Sequence, residues 1–332
     1  MLLFARFFVI LRTMNKLNYV IAVVALLASC GAGKGTAESD TAAVAAETSA
    51  EVPAFQADSA YAYLKRQVDF GPRVPNSEAH RLTQEWLASE LRRHGAEVTL
   101  QQADLKAFDG TTLHTVNIFG SYNPEAADRT LLLAHYDTRP WADQDPDPKN
   151  HHKPIDGAND GASGVAVLLE TARIINANNP GKGIDILFVD SEDYGTDADE
   201  DSWALGAKYF AEHPIKPGYA PARAILLDMV GGRGAKFPAE YFSRQAAPEL
   251  DDAIRAAAAR AGHAKMFPAE FGGAVTDDHI QLIKAGIPAI DIIDYRDGFC
   301  PTWHTMADNL QNIDPNTLLS VGETLLNYLF YR

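Results

Sequence analysis

The chain has 332 residues, 46% of them hydrophobic and 22% charged, which is apolar content enough for a sizeable core in one large domain or two small ones. Lys and Arg number 29 against 44 Asp and Glu, giving a net charge of −15 that no basic tract relieves. That balance argues against nucleic acid as a partner, because phosphate binding needs a positive surface.

Arg6, Arg12 and Lys16 precede an apolar run from Tyr19 to Ala28, too short to span a bilayer and long enough for the core of a secretory signal. Met14 would also serve as a start, since Met14-Asn15-Lys16 is already a compact basic segment. The run ends Leu27-Ala28-Ser29-Cys30, which resembles the lipobox of bacterial lipoproteins. That resemblance implies a signal peptide over residues 1–29 and a membrane anchor through lipidated Cys30. It also implies export to the bacterial cell envelope, with the domain facing the periplasm or cell surface. Residues 1–29 carry three positive and no negative charges, so the remaining chain would hold −18. Residues 30–57, rich in Ala, Gly, Ser, Thr and Glu without apolar periodicity, read as a flexible tether, and 58–332 as one folded domain. With Cys30 lipidated, Cys300 has no disulfide partner and reads as a packed thiol beside the site.

The periodicity predicts amphipathic helices over 58–69 and 78–94, separated by the turn Phe70-Gly71-Pro72-Arg73-Val74-Pro75. Strands follow at 96–106, 113–119 and 130–134, then a helix at 161–177, a strand at 184–189, a helix at 202–212 and a strand at 224–230. Helices at 248–261 and 277–285, a strand at 289–293 and a helix at 315–330 close the chain. Short apolar strands alternating with helices predict an α/β fold, a central, mostly parallel mixed sheet with helices on both faces.

Acidic and imidazole residues stand where those strands end. The strand at 130–134 delivers His135 and Asp137, two apart and therefore on one side of an extended backbone, although the triplet alone reads as a solvated strand end. Asp160 sits in Gly157-Ala158-Asn159-Asp160-Gly161-Ala162-Ser163-Gly164, where small residues let backbone approach a ligand, or where a plain capping loop opens a helix. After the strand at 184–189 come Asp190-Ser191-Glu192-Asp193, adjacent acids that must point apart, so that one can bind metal while the other stays free as a base. Asp228 ends the next apolar strand, and His304 lies in Trp303-His304-Thr305-Met306 after Cys300-Pro301. Joint occurrence, rather than any one piece, points to zinc. Asp197-Ala198-Asp199-Glu200-Asp201 lacks the spacing of a calcium loop and reads as a solvated acidic loop, and His151-His152 as surface.

In that order these residues resemble the zinc exopeptidase superfamily of co-catalytic aminopeptidases, and within it the bacterial glutaminyl cyclases. Four matches carry the resemblance: Phe70 to Pro75, Asp190 to Asp193, Asp277-Asp278-His279-Ile280, and Trp303 to Met306 with Asp308-Asn309. The resemblance implies one zinc held by Asp160, Asp193 and His304, Glu192 as general acid and base, and Asp228 and Asp278 as a carboxylate network around it. His135 and Asp137 would hold a second metal or support the first. Asp193 departs from animal cyclases, which carry Glu there, so backbone position would have to compensate for the shorter arm. Trp303, and less strongly Trp203 and Trp141, would wall the substrate pocket. The implied reaction is cyclisation of the N-terminal glutamine of peptides and proteins to pyroglutamate with release of ammonia. Alternatives are a two-zinc aminopeptidase, against which Asp277-Asp278 and Trp303 speak, and a catalytically inert surface lipoprotein that binds peptides or glycans.

Overall fold

A computed structural model describes residues 52–331 apart from Asp297. The expected signal peptide, lipidated Cys30 and most of the tether lie outside the described residues. Helices α1 (Ala57–Asp69) and α2 (Glu78–Arg93) come first, then strands β1 (Glu97–Lys106), β2 (Thr112–Tyr122) and β3 (Arg129–His135). They are followed by α3 (Ala162–Ala177), β4 (Gly183–Val189), α4 (Leu205–Glu212) and β5 (Arg223–Asp228). The remainder comprises β6 (Ala239–Glu240), α5 (Tyr241–Ala246), α6 (Pro248–Arg260), β7 (Phe271–Gly273), α7 (Asp278–Lys284), β8 (Ala289–Ile293) and α8 (Pro315–Phe330). Among the described residues no helix is long and apolar enough to cross a membrane.

Six strands form one sheet in the order β1-β2-β4-β3-β5-β8. The pairs β1/β2 and β2/β4 are antiparallel, whereas β4/β3, β3/β5 and β5/β8 are parallel. The parallel strands are apolar on both faces because both are covered. In β3, Leu132 and Ala134 face the core under α1, α2, α3, α6 and α8, while Leu131 and Leu133 face a second core under α4 and α7. Each fully buried Leu contributes roughly 1.5–3 kcal/mol. Helix α3 is buried nearly all round and lies close against the sheet, since a Cβ on Gly164 would stand 2.1 Å from the Leu227 carbonyl oxygen.

The order of connections places the site. From β3 the chain crosses through α3 to β4 on one side, then through α4 to β5 on the other side of β3. Strand order therefore reverses at β3, and the crevice beyond the carboxyl ends of β4, β3 and β5 is where such a sheet binds ligands.

The structure departs from the periodicity in four places, the first being β2, which runs on to Tyr122 instead of stopping at 119 because it keeps pairing with β1 and β4. Strand β5 stops at Asp228 instead of running to 230, because Met229 turns into the left-handed region at φ +48°. Helix α4 begins at Leu205 instead of 202, because Ala204 sits at φ +57° after an extended Trp203. Strands β6 and β7 and helix α5 had no periodic signal, being two, three and six residues long.

At the opposite end of the parallel strands Arg129 grips Asp185 with Nε at 2.8 Å and Nη2 at 2.5 Å, and the Tyr219 hydroxyl donates to the same carboxylate at 2.9 Å. Both charges are buried, so removing one strands the other. Asp185→Asn is expected to lower unfolding free energy by about 3–5 kcal/mol in urea titrations while leaving zinc binding at the far edge unchanged.

Candidate metal and active site

The chemistry converges at the carboxyl edge. His135 is the last residue of β3, Asp228 the last of β5, and Asp190 to Asp193 follow β4 directly. Asp160 comes from the glycine-rich turn ahead of α3, where Gly161 takes φ +93°; a Cβ there would stand 2.6 Å from the Asp137 carbonyl oxygen. His304 comes from the loop between β8 and α8.

His304 Nε2 lies 3.1 Å from Asp193 Oδ1 and 3.6 Å from Asp160 Oδ2. Donors about 2.0–2.1 Å from a shared tetrahedral zinc stand roughly 3.3–3.5 Å apart, so both His304 distances lie within a few tenths of that spacing, and the three ligand atoms all lie within 4.8 Å of one another. Asp160 Oδ2 and both Asp193 oxygens are buried with no hydrogen-bond partner, which is how carboxylates stand when a cation satisfies them. One imidazole and two carboxylates also leave a fourth position for substrate. A second trio shares Asp160: His135 Nε2 lies 3.1 Å from Asp160 Oδ1 and 3.2 Å from Asp228 Oδ1. Asp137 is not in either trio. Its carboxylate accepts the backbone N–H groups of Glu192 and Asp193, each at 3.1 Å, and so fixes the turn that presents both acids.

Other buried groups hold the turns. The Asp308 carboxylate accepts the backbone N–H groups of Asn159 at 2.7 Å and Asp160 at 3.0 Å, and burial pushes its carboxyl up to about 7. Arg73, fully buried, donates to the carbonyls of Asp156, Gly157 at 2.6 Å and Tyr136 at 3.4 Å. Ser191, Met229 and His304 all take positive φ (+58°, +48° and +52°), a conformation that costs about 1–3 kcal/mol each. Their clustering around one centre marks where the fold spends stability to aim side chains.

The cavity above the ligands is walled by Trp203, Trp303, Phe299, Tyr295 and Val275. Trp303 stacks on Phe299 at 4.1 Å and on the His304 ring at 3.8 Å. Trp141 does not line it: its ring packs against Tyr194 at 5.0 Å and Phe108 at 6.1 Å, with the Arg139 guanidinium 5.1 Å away. Among the described residues, seven carboxylates and one imidazole line the cavity without a Lys or Arg. Burial holds the Glu192 carboxyl well above its ordinary value, with His135 pulling it down and Asp193, Asp277 and Asp278 pushing it further up. An upward shift suits a carboxyl that takes and returns a proton.

Asp228 and Asp277 line the cavity, and Asp278 lies behind them, close enough for its charge to act on Glu192. Asp277 is the N-cap of α7, its carboxyl pushed up by burial to about 7 with Asp228 adding to the effect. Asp278 lies fully buried in the first turn of α7, with neither carboxylate oxygen hydrogen-bonded. The capping signal, an acid just ahead of the helix, is what distinguishes the two in the sequence. Cys300 is a free, half-buried thiol whose Sγ stands 4.0 Å from Met229 Sδ. The 197–201 acids are exposed, Asp201 facing Lys284 Nζ at 3.4 Å, and belong to none of the three-donor groups among the described residues. His152 is exposed and His151 partly so.

Residues 117–329 match the model of peptidase family M28. The chain belongs to that family. It superposes on a leucine aminopeptidase precursor from Bacteroides thetaiotaomicron with a TM-score of 0.84 and 51% identity, covering 85% of this chain and 99% of that one. The glutaminyl cyclase of the same organism, bound to N-acetylhistamine, gives 0.83 and 51%, covering 85% and 100%. Bovine glutaminyl-peptide cyclotransferase is 26% identical over 245 residues, 63% of this chain; the match spans 64% of that relative's length.

Because Asp137 spends its carboxylate on two amides that need acceptors, Asp137→Asn turns a donor toward one of them. Zinc affinity measured by chelator competition is expected to fall by about 10–100-fold.

Proposed function

We propose that the chain is a glutaminyl-peptide cyclotransferase, converting N-terminal glutamine of peptides and proteins to pyroglutamate with loss of ammonia. The observation that carries this reading is a free, buried Glu192 beside an Asp160–Asp193–His304 donor set, inside an aromatic cavity with an acidic floor. The 51% identity to a bacterial glutaminyl cyclase over that protein's whole length supports it.

Asp160, Asp193 and His304 would hold zinc, which when bound supplies a Lewis acid toward the γ-carboxamide oxygen. The acidic floor attracts the substrate's α-ammonium group and discriminates against a blocked N-terminus. Glu192 takes a proton from the α-amine, the amine nitrogen attacks the γ-carbon to close the five-membered lactam, and Glu192 returns the proton to the nitrogen that leaves as ammonia. Nucleophile and electrophile belong to one residue, so the ring closes without a bimolecular encounter. Trp203, Trp303 and Phe299 exclude the water that would otherwise compete.

A two-zinc aminopeptidase is the second reading, favoured by the preformed His135–Asp160–Asp228 trio. Gln-initiated peptides and aminoacyl anilides separate the two, one losing ammonia and the other releasing anilide. Ammonia loss is expected, abolished by a chelator and restored by zinc. Glu192→Gln should lower kcat by about 10²–10⁴-fold with zinc still bound; cyclisation at the wild-type rate would reject Glu192 as the base. Only the neutral amine attacks and only ionised Glu192 can take its proton, so kcat/KM should rise with pH until both groups are deprotonated, the raised Glu192 carboxyl extending the rise upward.

The basic and apolar start ending in Leu27-Ala28-Ser29-Cys30 supports export and anchoring to the bacterial cell envelope through a lipid on Cys30. The domain would then act on peptides outside the cytoplasm. Fatty-acid labelling of the wild type, lost in Cys30→Ala, is the expected result.

A further inference from the structure

The polar excursion that begins at Asp143 has no part in the reaction above, yet its first residues touch the loop of His304 at three points. Asp143 Oδ1 stands 3.4 Å from His304 Nδ1. The Gln144 N–H donates to the His304 carbonyl at 3.1 Å, and Asp145 Oδ2 accepts the Met306 N–H at 2.9 Å. Asp145 is itself held, since its Oδ1 accepts from the Asn150 side chain and the Asp147 N–H at 2.9 Å each. His304 thus sits at φ +52° in a loop with neither helix nor sheet to hold it, and the excursion is its support.

On its other side Asp143 meets Arg139 in a two-pronged pair, Nη2 to Oδ2 at 2.6 Å and Nε to Oδ1 at 3.2 Å. The remaining prong of that guanidinium, Nη1, donates to the Asp193 carbonyl at 3.0 Å and the Gly195 carbonyl at 2.9 Å. The rings of Trp203 and Trp141 lie 4.6 and 5.1 Å from it. One Arg–Asp pair therefore reaches two of the three donors, the backbone of Asp193 and the imidazole of His304.

We propose that Asp143 is a positioning residue that keeps the proton of His304 on Nδ1, leaving the Nε2 lone pair for zinc, and that Arg139–Asp143 locks Asp193 and His304 into one frame. The reason is tautomeric. Nε2 faces Asp193 and Asp160, so a metal there needs it unprotonated; Nδ1 makes no aligned hydrogen bond, and the Asp143 carboxylate 3.4 Å from it favours the ring proton on that side by charge and so raises the basicity of Nε2. The inference rests on the zinc reading of the Asp160–Asp193–His304 trio and not on cyclisation, so its tests read metal and ring instead of turnover.

Zinc affinity would be measured by chelator competition on wild type, Asp143→Asn and Arg139→Lys, with thermal melting of the metal-free proteins as the fold control. The His304 Nδ1–H resonance of the zinc-loaded protein would be followed by NMR. Asp143→Asn is expected to weaken zinc about 10–100-fold and to shift or abolish that resonance while the metal-free melting temperature holds. Arg139→Lys, losing the fork, should show a smaller change in the same direction. Unchanged affinity in Asp143→Asn overturns the proposal, and so does weakened affinity with an unmoved Nδ1–H resonance. A wild type that binds zinc tightly but cyclises nothing would sink the proposed reaction and leave this inference standing.

Discussion

Everything at the functional edge depends on buried negative charge meeting a cation. Asp160, Glu192, Asp193, Asp228, Asp277 and Asp278 are all buried around one crevice, and two unit charges 4 Å apart repel by about 4 kcal/mol even at an effective dielectric of 20. His135, its pKa raised despite burial by the carboxylates around it, supplies part of the balance, and burial that pushes the deeper acids upward eases the rest. The orphaned oxygens of Asp160 and Asp193 are left for a divalent ion. Metal binding in such a crevice is linked to folding, because the unfolded chain offers no comparable donor set. The metal therefore stabilises the same turns that it needs for its own coordination.

Holding acids apart in an anionic crevice is a task for backbone amides and cations, and the chain assigns it to residues that touch no substrate. Asp137 collects the amides of Glu192 and Asp193, Asp308 those of Asn159 and Asp160, and Arg73 ties down the carbonyls of the glycine-rich turn. The loop carrying Asp308 also carries His304, so one segment supplies a ligand and positions another. Asp193 is a carbon shorter than the Glu of animal cyclases. Its amide is fixed by Asp137 and its carbonyl by Arg139, which holds its backbone from both sides.

Strand ends were legible because a run such as Leu131-Leu132-Leu133-Ala134 can only be a strand covered on both faces, and the polar residue that stops it must lie at the sheet's edge. That logic located His135, Asp228 and the Asp190–Asp193 turn, and the family resemblance then ordered them into ligands and base. What escaped was decided by single backbone dihedrals or by tertiary reach. Met229 and Ala204 take positive φ without being glycine, so no residue-type signal ended β5 early or delayed α4. That Asp277 lines the crevice while Asp278 is packed behind it turns on the helix N-cap, a one-residue distinction that periodicity does not resolve. Trp141 looked like a pocket wall from its composition. Its ring packs instead against Phe108 and Tyr194, partners more than thirty positions away that only tertiary structure brings to it.

The His135–Asp160–Asp228 trio bears on how a hydrolase scaffold could serve an intramolecular reaction. An aminopeptidase must generate hydroxide near neutral pH, and two metals sharing a carboxylate do that well. Under the proposed cyclisation the nucleophile is an amine already tethered to its electrophile, with effective molarities for such closures reaching about 10⁵–10⁸ M, so no hydroxide is required. What the site must do instead is keep water out and keep one carboxylate unligated to carry a proton. Trp303 stacked between Phe299 and His304 meets the first demand and ties the wall directly to a ligand. Glu192, raised by burial and excluded from both donor trios, meets the second. His135 then has a role without a second metal: its Nε2 lies within 3.2 Å of both Asp160 and Asp228, placing a cation among acids that would otherwise repel.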